Sequence, residues 1–170
     1  MGKMLVLVTF LLLLQPFLVS TTQVKVVQDL IDRVLSRANI SSSFNPEIIY
    51  DENSSETKEY FSVSSRANKV VLQSNTLVGL TAAFGHYLRY VTESDFMWED
   101  GGGYSFGRLN GVKSFPLPKE EIKIYFYSKL RYYQNTCTAS YSFAFKNWNQ
   151  YEQEIDWMLM SGINMPAPIL

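Results

Sequence analysis

Leu-Arg-Tyr-Tyr-Gln-Asn at 130–135, Asn-Trp-Asn-Gln at 147–150 and Gly-Ile-Asn-Met-Pro at 162–166 decide the fold. The first stretch is rich in aromatic residues and reads as a β-strand, and residues 136–146 read as the loop that leaves it. Asn147 with Gln150 three residues on has the spacing of a capping box, which predicts a helix start. Trp148, Tyr151, Ile155, Met158 and Leu159 then recur at helical spacing and form its expected buried face. Trp157 and Met160 fall on the opposite side and offer a second, smaller docking surface. Gly162 sits where a left-handed C-terminal cap belongs, and Ile163 to Met165 open a second strand. Strand, loop, helix, glycine, strand is a βα unit of a parallel sheet or barrel. Such a sheet does not stop after one and a half strands, so the chain reads as an incomplete protein.

Upstream, Phe115-Pro116-Leu117-Pro118 and the charges Lys119 to Glu121 read as a linker, which puts a domain boundary at 118/119. Before it lies a smaller unit. Val27, Leu30, Ile31, Val34, Leu35 and Ala38 mark one face of a helix that Asn39 ends. Strands are expected over Phe44–Tyr50, Tyr60–Ser64 and Lys69–Gln73, with a turn over Asp51–Lys58. A second helix, from Asn75 or Thr76 to Val91, stacks Leu77, Leu80, Phe84, Leu88 and Val91. Its His86 lies off that stripe, and with no second histidine in the chain a packing role outweighs metal or base chemistry. A short strand at Phe96–Trp98 runs into Gly101-Gly102-Gly103. No helix and no Lys-Ser/Thr follows these glycines, so they read as a hairpin turn and not a phosphate cradle.

The N-terminus carries a leader. Met1 to Lys3 are followed by the apolar run Met4–Leu14 and by Ser20, Thr21 and Thr22. This is the pattern of a signal peptide over 1–22. Gln15 and Pro16 interrupt the run before the ~20 residues a membrane span needs, so no stable anchor is expected after cleavage. The triplets Asn39-Ile-Ser and Asn53-Ser-Ser fit glycosylation on that route.

Over 170 residues, Lys and Arg number 15 against 16 Asp and Glu, with 46% apolar residues, one His and one Cys. A net charge of -1 gives no basic patch for nucleic acid. One cysteine excludes an internal disulfide framework and a cysteine-built zinc site. No metal and no cofactor is expected.

The residues from Arg131 through Asn135 and Cys137 to Phe143, with Trp148, Glu154 to Met158 and Gly162 to Pro166, resemble the start of the catalytic domain of lysosomal α-N-acetylglucosaminidases. The helix from Asn75 to Tyr90 is similar to one in that family's N-terminal domain. The resemblance implies α/β architecture: a small N-terminal α/β (α+β) domain over 23–118, then the beginning of a (β/α)8 TIM barrel, truncated here, over 119–170. It implies an exo-acting hydrolase that removes terminal α-linked N-acetylglucosamine from glycosaminoglycans such as heparan sulfate, in the lysosome or outside the cell. Such chemistry needs two carboxyl groups across the sugar. The family's pair lies on later barrel strands, so no catalytic residue is expected in this chain, and the chain alone is expected to be inactive. Asn135 and Cys137 match residues that line the family's sugar pocket. Read without the resemblance, they are a strand-end amide and a small buried hydrophobe. Glu152 and Asp156, an i,i+4 pair, read as a solvated helix flank. The other open reading is a non-catalytic secreted module that binds carbohydrate or another subunit. The partner expected is a glycosaminoglycan or glycoconjugate substrate, met through the complete enzyme, and a homo-oligomer stays open.

Overall fold

The computed structural model describes residues 22–40, 44–98, 102–110, 114–133 and 145–166. The leader expected over 1–22 lies, but for its last residue, outside them. Helix α1 (residues 22–37) buries Val27, Leu30, Ile31, Val34 and Leu35, the face its spacing predicts. It closes with two bonds, Asn39 N to Ser36 O (3.0 Å) and Ile40 N to Leu35 O (3.0 Å). This Schellman arrangement puts Asn39 in the left-handed region at φ 56°, which asparagine tolerates better than most residues.

Four strands make the main sheet: β1 (Glu47–Tyr50), β2 (Tyr60–Arg66), β3 (Lys69–Ser74) and, after two shorter strands, β6 (Ile122–Tyr125). Their order is β1-β3-β2-β6; β1 runs parallel to β3, and β2 is antiparallel to both its neighbours. Ala67 and Asn68, at φ 49° and 60°, form the tight β2–β3 turn, whose twist matches the strands it joins. Helix α2 (Leu77–Tyr90) begins at Thr76, whose Oγ1 accepts from Gly79 N at 2.9 Å. Leu80, Phe84 and Leu88 lie with Phe61, Val63, Val70, Leu72 and the apolar face of α1 in one core. Phe44 stacks on Phe84 and Tyr87 within it. Strands β4 (Asp95–Phe96) and β5 (Tyr104–Ser105) form the hairpin expected around the glycines. Gly102 and Gly103, at φ 112° and 71°, use backbone freedom that other residues lack.

Strand β6 changes the expected linker. Ile122 to Tyr125 lies past Pro118, yet it pairs with β2 in the register Phe61↔Ile124 and Val63↔Ile122. The N-terminal sheet therefore extends to Tyr125. The Ile-Lys-Ile-Tyr alternation that places Ile124 against the core stands beside Lys119–Glu121, whose charges hide it.

The expected βα unit is present. Strand β7 (Tyr132–Tyr133) leads to helix α3 (Trp148–Met160), and β8 (Met165–Pro166) returns parallel to β7. The capping box forms: Asn147 Oδ1 accepts from Gln150 N (3.2 Å), and Asn147 N donates to Gln150 Oε1 (2.9 Å). Gly162, at φ 77°, ends the helix, and Ile163 N bonds Met158 O at 3.0 Å. The buried face of α3 differs from the expected one. Met158 is buried as expected, but Trp148 is 67% exposed, Tyr151, Ile155 and Leu159 are only partly covered, and Gln153, Glu154, Asp156 and Met160 are buried. The helix turns a polar side toward α1, while Met160 joins the N-terminal core and Trp157 and Leu159 pack against it, the smaller docking surface expected of Trp157 and Met160. The whole is a mixed α/β fold, and the described residues contain no closed barrel.

Candidate functional site

The site expected from the sequence follows β7. Asn135 and Cys137 lie outside the described residues, but the elements that deliver and support them are described. Arg131, just before β7, is the tie. Its backbone N donates to Asn164 Oδ1 at 2.9 Å, and Asn164 Nδ2 donates to Lys129 O at 2.8 Å, which locks β8 against the start of β7. The guanidinium lies 3.8 Å over the Phe126 ring and donates to Gly162 O and to Ser128 O. It also pairs with Glu59 at 2.8 Å, both side chains being 15% exposed. Glu59 in turn accepts from the Thr76 hydroxyl at 2.6 Å, at the positive end of α2. One arginine thus fastens the β7–β8 pair to the N-terminal sheet and to α2.

Aromatic rings brace the other side. Tyr133 meets Trp157 of α3 edge-on with centroids 5.1 Å apart, and Trp157 meets Trp98 edge-on at 4.4 Å. Trp98 belongs to the β4–β5 hairpin and Trp157 to α3, so Tyr133, two residues ahead of Asn135, is held from both units.

Helix α3 docks along a polar seam. Arg33 of α1 grips Asp156 with both branches, Nε to Oδ2 at 3.1 Å and Nη2 to Oδ1 at 2.6 Å. Arg37 pairs with Glu152 at 2.5 Å. The Asp156 side chain is 1% exposed. Glu152 and Asp156 are therefore no solvated flank: they form the charged seam with α1. Burial pushes the Asp156 carboxyl above the ordinary carboxylate range, against the pull of Arg33. The hydrogen bond to Asp156 raises Arg33 in turn. Lys146 and Glu154 pair at 3.0 Å, nearly buried, and Gln153 Nε2 donates to Met97 O at 2.7 Å. Helix α2 completes the dock. Thr81 Oγ1 donates to Leu159 O at 2.9 Å, and a Cβ on Gly85 would stand 2.2 Å from Met160 O, so only glycine allows the approach.

Sequence reasoning passed over Arg33, Arg37 and Gln153, and gave Arg131 and Glu154 no role beyond the resemblance. A signal existed for two of them: Arg33 and Arg37 are i,i+4, as are Glu152 and Asp156, with the opposite charge. His86 has the packing role expected of it. Half-buried between Phe61 and Tyr90, at centroid distances of 5.5 and 4.3 Å, it is held below the ordinary imidazole range by burial and then by Arg89. Asn39 and Asn53 are both exposed. Among the described residues no cluster of three or more His, Cys, Asp or Glu could hold a metal ion, and no helix is long and apolar enough to cross a membrane.

The arrangement is a support. It presents the carboxyl end of a first parallel strand, where barrel enzymes build their sites from the following loops. Comparison with known proteins agrees. The family model for the tim-barrel domain of α-N-acetylglucosaminidase matches residues 131–170, and that for its N-terminal domain matches residues 25–106. Human α-N-acetylglucosaminidase is 34% identical over 99 residues, which cover 58% of this chain and 12% of that protein. Solved structures of a family 89 glycoside hydrolase from Clostridium perfringens share the fold. The complex with PUGNAc gives a TM-score of 0.70 at 23% identity over 86% of this chain and 16% of that one. The complex with 2-acetamido-1,2-dideoxynojirimycin gives 0.68 at 26% identity over 85% of this chain and 15% of that one.

The class is therefore that of the glycoside hydrolases. Within it, the chain belongs to the α-N-acetylglucosaminidase family, whose two domain models match it in order. It spans 12% of the human relative and 15–16% of the bacterial ones.

Proposed function

We propose that this chain is the N-terminal portion of an exo-acting hydrolase that removes terminal α-linked N-acetylglucosamine from glycosaminoglycans such as heparan sulfate. The observation that carries the reading is the β7–α3–β8 unit, fixed by Arg131 to a matching N-terminal domain in the family's order. In this reading Asn135 and Cys137, which follow β7 in sequence, line the sugar pocket, and the Asn135 amide both donates to and accepts from sugar hydroxyls. The catalytic pair of carboxyls comes from later strands. Glu152, Glu154 and Asp156 do not serve, because Arg37, Lys146 and Arg33 already hold them on the helix. The leader sends the protein into the secretory pathway, toward the lysosome or the cell exterior.

Purified protein tests this. Extended in frame through the remaining barrel, it is expected to hydrolyse an aryl α-N-acetylglucosaminide, while the 170-residue chain alone shows no turnover. In the extended protein Asn135→Ala lowers kcat/KM by about tenfold, the worth of a lost hydrogen bond or two. Turnover by the short chain alone, or a folded extended protein without activity, overturns the reading.

A further inference from the structure

We propose that Trp98 is a positioning residue for the hydrolase: from the N-terminal domain, through Tyr133, it sets the carboxyl end of β7. This rests on the hydrolase reading above and adds a residue that acts on the sugar site without touching sugar. The β4–β5 hairpin fixes its backbone. Met97 N donates to Gly103 O at 2.6 Å, and Gly103 N donates to Trp98 O at 3.1 Å. Phe96, two residues earlier, is 1% exposed and seated in the N-terminal core. The indole leaves its own domain. It meets Trp157 at 4.4 Å with the planes at 73°, and Tyr133 at 6.3 Å with the planes at 53°. Tyr133 and Trp157 meet each other at 5.1 Å and 64°. Each of the three rings thus meets the other two, and no two are parallel. Tilted and edge-on ring contacts are directional, so a triangle of them fixes the orientation of every member.

Two clamps hold β7, one at each end. Arg131 binds the amino end to Glu59 and to Gly162 O. That end of a barrel strand serves stability, whereas the carboxyl end feeds the loops that build the site. Tyr133 is the last residue of β7, so the ring cluster lies at the second end. Tyr133 and Trp157 belong to the βα unit and move with it. Trp98 is the fixed point, because it comes from a domain with its own core. Gln153 Nε2, which donates to Met97 O at 2.7 Å, ties α3 to the same hairpin. Without the indole, Tyr133 keeps Trp157 but loses its reference to the N-terminal domain. The catalytic carboxyls of the hydrolase reading come from later strands and keep their places. The loss then falls on sugar binding in the ground state and the transition state alike, so KM rises and kcat stays. A merely structural loss has the other signature: it removes active molecules and lowers apparent kcat at constant KM.

Hydrogen exchange of the 170-residue chain, followed by mass spectrometry, tests the clamp independently of activity. Trp98→Ala is expected to speed exchange over 130–133 and 163–166, where Met165 N donates to Arg131 O, and to leave 60–74 protected. Trp98→Phe, which keeps a ring, is expected to exchange as the natural chain does. Tyr104→Ala is the control: its ring lies on the same hairpin, against Phe96 and Phe106, and its loss leaves 130–133 unchanged. Should Trp98→Ala not fold, Trp98→Leu, apolar but without a ring, is read in its place. In the protein extended through the barrel, Trp98→Ala is expected to raise KM for an aryl α-N-acetylglucosaminide about fivefold, with kcat within about twofold, on the scale of a small misplacement by a remote residue. The inhibition constant of N-acetylglucosamine rises in parallel, and Trp98→Phe recovers most of the loss. Unchanged exchange over 130–133 in Trp98→Ala, or a fall in kcat at constant KM, overturns the proposal. A natural extended protein without turnover overturns the hydrolase reading instead, and the exchange result alone then decides whether Trp98 holds β7.

Discussion

The N-terminal unit and the β7–α3–β8 unit hold themselves together differently. In the first, α1, α2 and the sheet enclose a contiguous apolar core in which Ile31, Val34, Leu72, Leu80 and Phe84 are fully or almost fully buried. In the second, Trp148, Leu130, Tyr132 and Met165 are between 41% and 67% exposed, and Gln153, Glu154 and Asp156 are buried beside Met158 and Met160. Apolar burial is non-directional and tolerates many arrangements, whereas charge pairs and backbone-to-side-chain bonds demand one geometry. The core supplies stability; the seam supplies orientation. The first βα unit is thus held in place from the N-terminal domain by Arg33, Arg37 and Arg131, with Met160 reaching into the apolar core while Trp148 at the helix start stays exposed.

The largest expected effect tests the core. Leu72→Ala, at a fully buried position on a central strand, is expected to lower stability by about 3 kcal/mol in urea unfolding of the full chain. Trp148→Ala, on α3, is expected to change it by no more than about 0.5 kcal/mol. Equal losses would erase the contrast between the units.

The next effect tests the dock. Gly85→Ala forces a methyl group against the Met160 carbonyl, a backbone atom that has no rotamer to yield. A loss of about 2 kcal/mol is expected, together with faster proteolysis at residues 145–166 than over 47–96. Protection of both regions at the level of the natural chain would show that α3 needs no such approach.

The seam itself calls for a double-mutant cycle on Arg33→Leu and Asp156→Leu. Arg33 is 37% exposed on its side chain and Asp156 buried, so a coupling of about 1–2 kcal/mol is expected, discounted from a fully buried pair. Additive losses would mean that the two groups do not hold each other.

The smallest effect is a pH slope. His86 is kept below its ordinary pKa in the folded chain, so the unfolded chain binds the extra proton more readily. Its contribution is fully present above the unfolded pKa of about 6.5 and is lost as pH falls through the folded value. Thermal unfolding between about pH 7 and 5 should show that slope, and His86→Phe, which keeps a ring between Phe61 and Tyr90, should flatten it. An unchanged slope would assign the pH dependence to other groups.

Residue order alone determined much of this protein. The apolar spacing of α1 and α2, the Asn147–Gln150 capping box, the Gly162 cap and the glycine hairpin are local rules, and each is present as read. The parallel β7–β8 pair followed from the same local rules, because strand, helix, glycine and strand leave few other ways to connect. Only the tertiary structure decided that Ile122–Tyr125 completes the N-terminal sheet, that α3 buries Glu154 and Asp156 while Trp148 stays exposed, and that one arginine joins three elements. These outcomes depend on residues distant in sequence, Arg33 and Asp156 being 123 positions apart. Periodicity reports which side of a helix is apolar. It does not report which neighbour the fold brings to that helix, and here a neighbour bearing two arginines buried Asp156 along with Met158 and Met160.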